Sequence, residues 1–462
     1  MLKTDITQQR KERHDKTAED FTPKSVCNTL IYASRQLKYN RKLTFCDTSC
    51  GTGNIICRYL ENRICYISDD IEEFFDLVSR TYGYDIVPEN VEECKDNIRK
   101  FLPVFVDDDT VYGTYLEELN KILDRNIVCA DYLMVPPAVS SGFDLIIQNP
   151  PYLKGTYLYF MEKAFDDLSE YGELVSIQPA TWLINLHNKG KNHIYRDLKR
   201  KFSHLTTKVI IENYNEKFNT GLYVPFSIIS VYKRNVEKFF DVEVCGEKFT
   251  CESLGDINLI DSTIGAKAII NDIVNKCLAY GDTMKNHIYQ NGKTETNEGT
   301  HYLKYLKIIG RSFCGDPRTS EGWYVNGLLA PPCYYSIADV RPGISGTPHY
   351  QLKNGRTYKN PEFTNILSDQ VYGTKEELDN FVYNVYHCSI FPFIAILFNN
   401  NMANQSRHYV PWVVDRKYDE EEMYKLLDLN EQEVEIINNA ISKFNKDSDW
   451  YKRLQFGYDT LR

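Results

Sequence analysis

The chain reads as an α/β protein: a Rossmann-like, mostly parallel sheet with helices on both faces, followed by a C-terminal α+β domain. Three observations predict this. Short apolar segments alternate with amphipathic ones through the first half, the pattern of strands joined by crossover helices. A glycine turn, Ser49-Cys50-Gly51-Thr52-Gly53-Asn54, links the first strand to a helix. Polar residues also recur at the carboxyl ends of strand-like segments, where ligands bind in such folds.

Each element has a local reason. Leu43–Asp47 is a short apolar strand, and Ile55 to about Asn62 is the helix after the glycine turn. Tyr82–Ile86 is a second strand, and Pro88 suits the first turn of a helix running towards Phe101. Ile127–Asp131 and Asp144–Gln148 are the third and fourth strands, the latter apolar enough to be buried on both faces. Tyr157–Leu168 is an amphipathic helix, Glu173–Gln178 a fifth strand and His193–Phe202 a helix, with Lys208–Glu212 and Phe226–Lys233 as closing strands. After about Lys238 the alternation stops. Phe239–Cys251 reads as a short β segment at a boundary, giving domains 1–245 and 246–462. Beyond it, Ser262–Tyr280 is helical, and Gly310–Lys359 is irregular β and loop. Thr374–Phe398 reads as one long aromatic helix capped by Thr374, and Asp419–Lys443 as two charged amphipathic helices.

With 462 residues the chain exceeds one ordinary domain. Its start is polar, without the apolar core of a signal peptide. The longest apolar stretch, Ile390–Phe398, is too short to span a bilayer and contains Pro392. A cytoplasmic protein with no membrane partner is expected. Thirteen cysteines, an odd number with no Cys-x-x-Cys pair, point to reduced thiols and to no structural metal. A net charge of −10 is awkward for a nucleic-acid binder and would require a local basic face. The run Arg196–Lys201 is a candidate, with a solvated helix face as the ordinary alternative.

Asn149-Pro150-Pro151-Tyr152 closes the fourth strand. The prolines push the chain out extended, leaving the Pro150 carbonyl free of ladder pairing. Asn149 adds a side-chain acceptor and Tyr152 a flat face. Two acceptors can hold the N–H bonds of a planar amine, favour a more tetrahedral nitrogen and aim its lone pair at an incoming methyl group. A plain proline-rich turn is the bland alternative. Among the other strand ends, Asp47 before the glycine turn suits a cationic group, such as the amino group of methionine. The turn itself lacks the third glycine of a dinucleotide fingerprint and the lysine of a phosphate loop. Asp85 can take both hydroxyls of a ribose, with Asp69 or Asp70 as rivals closer to the usual spacing. Asp131 can accept from an adenine amine or simply cap a turn.

Phe21-Thr22-Pro23, Asp47-Thr-Ser-Cys50-Gly51-Thr-Gly53-Asn54, Asp85, Asp131 and Asn149-Pro-Pro-Tyr152, in this order, resemble the gamma-type DNA adenine-N6 methyltransferases of restriction–modification systems. The similarity covers roughly residues 18–235. Thr48 stands where the family pattern has proline, and Val87 where an acid is common. The resemblance implies S-adenosyl-L-methionine as cofactor, bound by Phe21, Thr22, Asp47, Cys50, Gly51, Gly53, Asn54, Asp85, Ile86, Asp131 and Tyr132. It implies Asn149, Pro150 and Tyr152 as catalytic residues acting on an adenine flipped from duplex DNA, with Tyr223 or Phe226 as a second stacking aromatic. Core packing is the alternative for Phe226. It further implies a C-terminal target-recognition domain, whose stretch Ser406–Trp412 is more loosely similar, a cognate restriction endonuclease as partner, and a monomer on DNA. Pro331-Pro332-Cys333 has the form of the nucleophilic motif of carbon-5 cytosine methyltransferases but lies far too late in the chain. A protein glutamine-N5 methyltransferase and an RNA adenine-N6 methyltransferase share the amine problem and stand as alternatives.

Overall fold

The computed structural model describes residues 22–68, 70–106, 108–152, 155–184, 193–218, 225–261, 265–289, 305–307, 318–320, 323–325, 328–330, 370–371, 375–398, 408–443 and 448–449. Two compact units divide the chain after Gly255, residues 184–186 apart.

The first unit is built on a nine-stranded sheet. Its strands are β1 Phe45–Asp47, β2 Thr81–Asp85, β3 Ile127–Cys129, β4 Phe143–Gln148, β5 Leu168–Pro179, β6 Thr206–Glu212, β7 Phe226–Tyr232, β8 Phe240–Val244 and β9 Glu247–Cys251. Their order is β3-β2-β1-β4-β5-β7-β6-β8-β9. Strands β3 to β5 are parallel, and β7 runs antiparallel to both β5 and β6. The chain moves outward from β1 through β2 to β3, then returns to the other side of β1 as β4. That reversal opens a crevice at the carboxyl ends of β1 and β4, the place where an open α/β sheet takes its ligand.

The longer helices of this unit among the described residues are α1 Lys24–Ala33, α2 Asn54–Ile64, α3 Ile71–Ser79, α4 Pro88–Arg99, α5 Asp109–Asn126, α6 Tyr157–Asp166 and α7 His193–Phe202. Their starts follow from local chemistry. Asp70 accepts from the Glu72 N–H and Asp108 from the Thr110 N–H, capping α3 and α5, and Pro88 opens α4. Alternate strand residues, Phe45, Leu145, Ile147 and Val175, join a core with side chains of α1 to α5. Cys46 and Ile146, between them in period two, are equally buried, while α6 packs against β5. Burial on both faces explains why β4 is apolar without alternation.

The boundary expected after residue 245 is corrected. It falls in the tight turn between β8 and β9, where Cys245 and Gly246 take φ 51° and 86°. Strand β8 pairs in parallel with β6 and buries Phe240, Val242 and Val244. Its apolar alternation therefore belongs to the first sheet.

The described part of the second unit contains α8 Ala266–Ala279, α9 Lys375–His387, α10 Ile390–Phe398, α11 Glu420–Leu426 and α12 Glu431–Lys443, with short antiparallel strand pairs. The single helix expected over 374–398 is two helices. Pro392 cannot donate to the Cys388 carbonyl, so the chain breaks there and restarts, and the Ser389 N–H is taken by the Glu420 carboxylate. Thr374, Ser406, Arg407 and Pro331-Pro332-Cys333 lie outside the described residues. Trp412, at the end of the loosely similar stretch, is 4% exposed and packs on Phe381 with ring centroids 4.3 Å apart. Its indole is core rather than a surface for reading bases. Among the described residues no helix is long and apolar enough to cross a membrane.

Candidate active site

The crevice at the reversal point is a cleft of about 230 Å³ lined by residues from the ends of β1, β2, β3 and β4. Thr22, Asp47, Cys50, Gly51, Asn54, Asp85, Ile86, Asp131, Tyr132, Asn149 and Pro150, far apart in sequence, all line it.

Its floor is the glycine turn. Gly51 and Gly53 have φ 51° and 87°, the left-handed region in which side chains are strained. At Gly53 a Cβ would also lie 2.7 Å from the Cys94 sulfur on α4. The turn is tied down by Cys50 N–H to the Tyr84 carbonyl at 2.8 Å and by Gly51 N–H to the Asp85 carboxylate at 3.0 Å. Asp85 also accepts from the Val87 N–H at 2.9 Å and from the Asn90 amide. It thus braces the turn, and one of its roughly four lone-pair positions stays available to a ligand. Of its rivals, Asp70 caps α3, and Asp69 lies outside the described residues.

Asp47 is the electrostatic centre of the cleft. It is 1% exposed. One oxygen accepts from the Ser49 N–H at 3.2 Å, while Oδ2 has no hydrogen-bond partner among the described residues. Burial pushes its pKa up to about 8; the Ser49 N–H opposes this and the nearby Asp85 charge adds to it. A buried carboxylate oxygen without a donor is costly, and a cationic ligand would relieve that cost. The residues therefore fit the amino-acid end of S-adenosylmethionine. Asp131 accepts from the Leu133 N–H at 3.0 Å, capping a short turn at the rim. Tyr132 lines the cleft, and its hydroxyl donates to Asp167 at 2.7 Å beneath the surface.

Asn149 is held from both ends. Its Nδ2 donates to the Thr22 hydroxyl at 2.9 Å, and its Oδ1 accepts from the Tyr152 hydroxyl. Its main-chain carbonyl accepts from the Ser49 hydroxyl at 3.0 Å. Thr22 is fixed in turn, its carbonyl accepting from the Asn54 amide at 2.9 Å. The Pro150 carbonyl accepts no hydrogen bond from any described residue. Asn149 and Pro150 thus both line the cleft, with Asn149 braced through Thr22. Phe21 and Tyr223 lie outside the described residues.

Phe226 corrects an expectation. It is 0% exposed, packed against Tyr152 at 5.4 Å and Phe218 at 5.2 Å. It presents no face to a base and instead supports the Tyr152 ring edge-on. Its place at the start of β7, inside an apolar run, is the signal for core packing. Sequence reasoning missed the brace below the site. Thr48 donates to Gln148 at 2.6 Å, and Gln148 donates to Ser176 at 3.1 Å, all three buried. The threonine that departs from the family pattern thereby ties β1 to β4 and β5. Thr156 and Phe160 at the start of α6 also line the cleft; their position one turn beyond the strand-end motif was the available signal.

No protein-family model matches the chain, and no curated protein matches it. Solved structures similar to it include the M protein of the type I restriction enzyme EcoKI, with 14% identity over 49% of this chain and 48% of that one, TM-score 0.36. The methyltransferase subunit of a type I restriction–modification system from Streptococcus thermophilus has 14% identity over 55% and 52%, TM-score 0.36. The type IIG restriction endonuclease BpuSI has 11% identity over 65% and 38%, TM-score 0.40. This chain spans about half the length of the first two. What the site can do is decided by its own residues.

Proposed function

We propose that the protein is a site-specific DNA methyltransferase that transfers a methyl group from S-adenosylmethionine to the N6 amine of a flipped adenine. One observation carries this reading. The acceptor pair Asn149 Oδ1 and Pro150 carbonyl belongs to residues lining the same cleft as a glycine turn and the buried Asp47, whose Oδ2 has no hydrogen-bond partner among the described residues. An amine-holding motif and a site for a cationic, ribose-bearing group share one crevice.

When bound, S-adenosylmethionine supplies an electrophilic methyl group on a sulfonium. Asp47 would hold its amino group, the Gly51–Gly53 turn would allow close backbone approach, and Asp85 would offer its remaining acceptor to the ribose. Asn149 Oδ1, a carbonyl with two lone pairs, would accept an amine N–H beside the Tyr152 hydroxyl, and the Pro150 carbonyl would take the other. The nitrogen lone pair would then point into the cleft. Such positioning supplies most of the rate in a direct displacement. A duplex base must leave the stack to reach this wall. The second unit would read the DNA site, and a cognate restriction endonuclease would be the natural partner.

The test is labelled methyl transfer from S-adenosylmethionine to duplex DNA, RNA and glutamine peptides side by side. Label on N6-methyladenine in duplex DNA is expected. Transfer to RNA or to a glutamine amide instead would replace the substrate and keep the site, whereas no transfer with tight cofactor binding would overturn catalysis.

A further inference from the structure

A second cleft of about 410 Å³ lies in the first unit between α1, the segment 34–41 and the end of α2. By the same measure it is larger than the first. Helix α2 leaves the carboxyl end of β1 and runs 11 residues back along the sheet, roughly 16 Å at 1.5 Å per residue. The second cleft, at the last turns of α2, therefore lies towards the amino ends of the strands, away from the site described above.

Its chemistry differs from that of the rest of this acidic chain. Lys38, Arg41, Arg58 and Arg63 line it, and no aspartate or glutamate does. Arg63 is 3% exposed, and its two terminal nitrogens donate to the Leu37 and Asn40 carbonyls at 3.0 and 2.7 Å. Neither Arg63, Lys38 nor Arg41 forms an ion pair with a described residue. Arg58 pairs with Glu61, yet its Nε is buried without an acceptor among the described residues. A buried guanidinium paired only with carbonyls, in a cleft whose Arg58 Nε also finds no acceptor among the described residues, is a charge arrangement that an anion would complete. Tyrosines rim the same cleft. Tyr39 is 81% exposed and Tyr66 59%, and the Arg63 guanidinium lies 5.6 Å from the centre of the Tyr66 ring. Cations next to open aromatic faces are the recognition chemistry of a phosphate joined to a base.

We propose that this cleft binds a nucleoside phosphate, with the phosphate on Lys38 and Arg41 above the buried Arg63 and the base against Tyr39. The site does not depend on the methyl-transfer reading. Its occupant is either a free nucleotide or one unit of a single strand.

Calorimetry on the full chain tests this with adenosine monophosphate, inorganic phosphate and a short single-stranded oligothymidylate. Adenosine monophosphate is expected to bind more tightly than phosphate and to remain bound in excess S-adenosylmethionine, which competes only for the first cleft. Joint substitution Lys38→Glu and Arg41→Glu, both at the surface, should weaken it about tenfold or more, and Tyr39→Ala by a similar factor. Circular dichroism and unchanged S-adenosylmethionine binding would show the variants folded. Tighter binding of the oligonucleotide assigns a strand, and equal or weaker binding a free nucleotide. Displacement by S-adenosylmethionine, indifference to the charge reversals, phosphate binding as well as the nucleotide, or no binding at millimolar ligand would each overturn the proposal.

Discussion

Asp47 sets the pH behaviour of the cleft. Its ordinary value of 3.8 is pushed up to about 8 by burial, so at pH 7 most molecules carry it neutral. Pairing with an ammonium requires the carboxylate, so cofactor binding at pH 7 should release close to one proton. Affinity should rise by up to about tenfold per pH unit towards pH 8. Above that the ligand's own amino group, with a pKa of roughly 8, loses its charge and affinity should fall again. Calorimetry in buffers of different ionisation enthalpy reads both; an affinity flat from pH 6 to 8 would refute the assignment. The same shift acts on folding. The folded value lies above the unfolded one, so this group's contribution is whole below about pH 4 and is lost as pH rises through about 8. Asp47→Asn should therefore gain much more thermal stability relative to the parent at pH 9 than at pH 5. In the proposed reaction, Asn149→Ala removes an acceptor for the reacting amine. Methyl transfer should fall by about a hundredfold or more while S-adenosylmethionine still binds, a split measured by single-turnover kinetics beside calorimetry.

At the scale of elements, the glycine turn concentrates the strain. Gly53→Ala imposes both a left-handed φ and the 2.7 Å approach to the Cys94 sulfur. It should cost about 1–3 kcal/mol and weaken cofactor binding. Adding Cys94→Ala relieves the contact but not the φ, so recovery in the melting temperature should be partial; full recovery would show that sterics alone govern the position. Much of this unit was legible beforehand because periodicity and strand-end chemistry are local. The apolar run Leu145–Ile147 gave β4, Pro88 gave the start of α4, and the order of Asp47, Gly51, Asp85 and Asn149 gave the cleft. What was not legible depends on distant partners. That Thr48 reaches Gln148, that Phe226 is walled in by Tyr152 and Phe218, and that Trp412 turns inward onto Phe381 are consequences of packing between segments far apart in the chain. The hairpin β8–β9 was recognised as β structure, but only its pairing with β6 assigns it to the first sheet.

At the scale of the molecule, that assignment yields a test. A fragment ending after Gly255 keeps β9 on β8 and β8 on β6, and should fold cooperatively and bind S-adenosylmethionine. A fragment ending at Cys245 loses β9, exposes the β8 edge, and should aggregate or melt well below the longer one. Differential scanning calorimetry compares them, and equal stability would return the boundary to residue 245. There is also a consequence for how the site comes into being. The hydrogen bond from Asn149 to Thr22 joins residues 127 positions apart. At a synthesis rate of roughly 5–20 residues per second, Thr22 waits about 6–25 s for its partner to be made. This wall of the cleft is therefore assembled only once residue 149 has been made, and a nascent chain stalled before that point carries the glycine turn without Asn149 and Pro150.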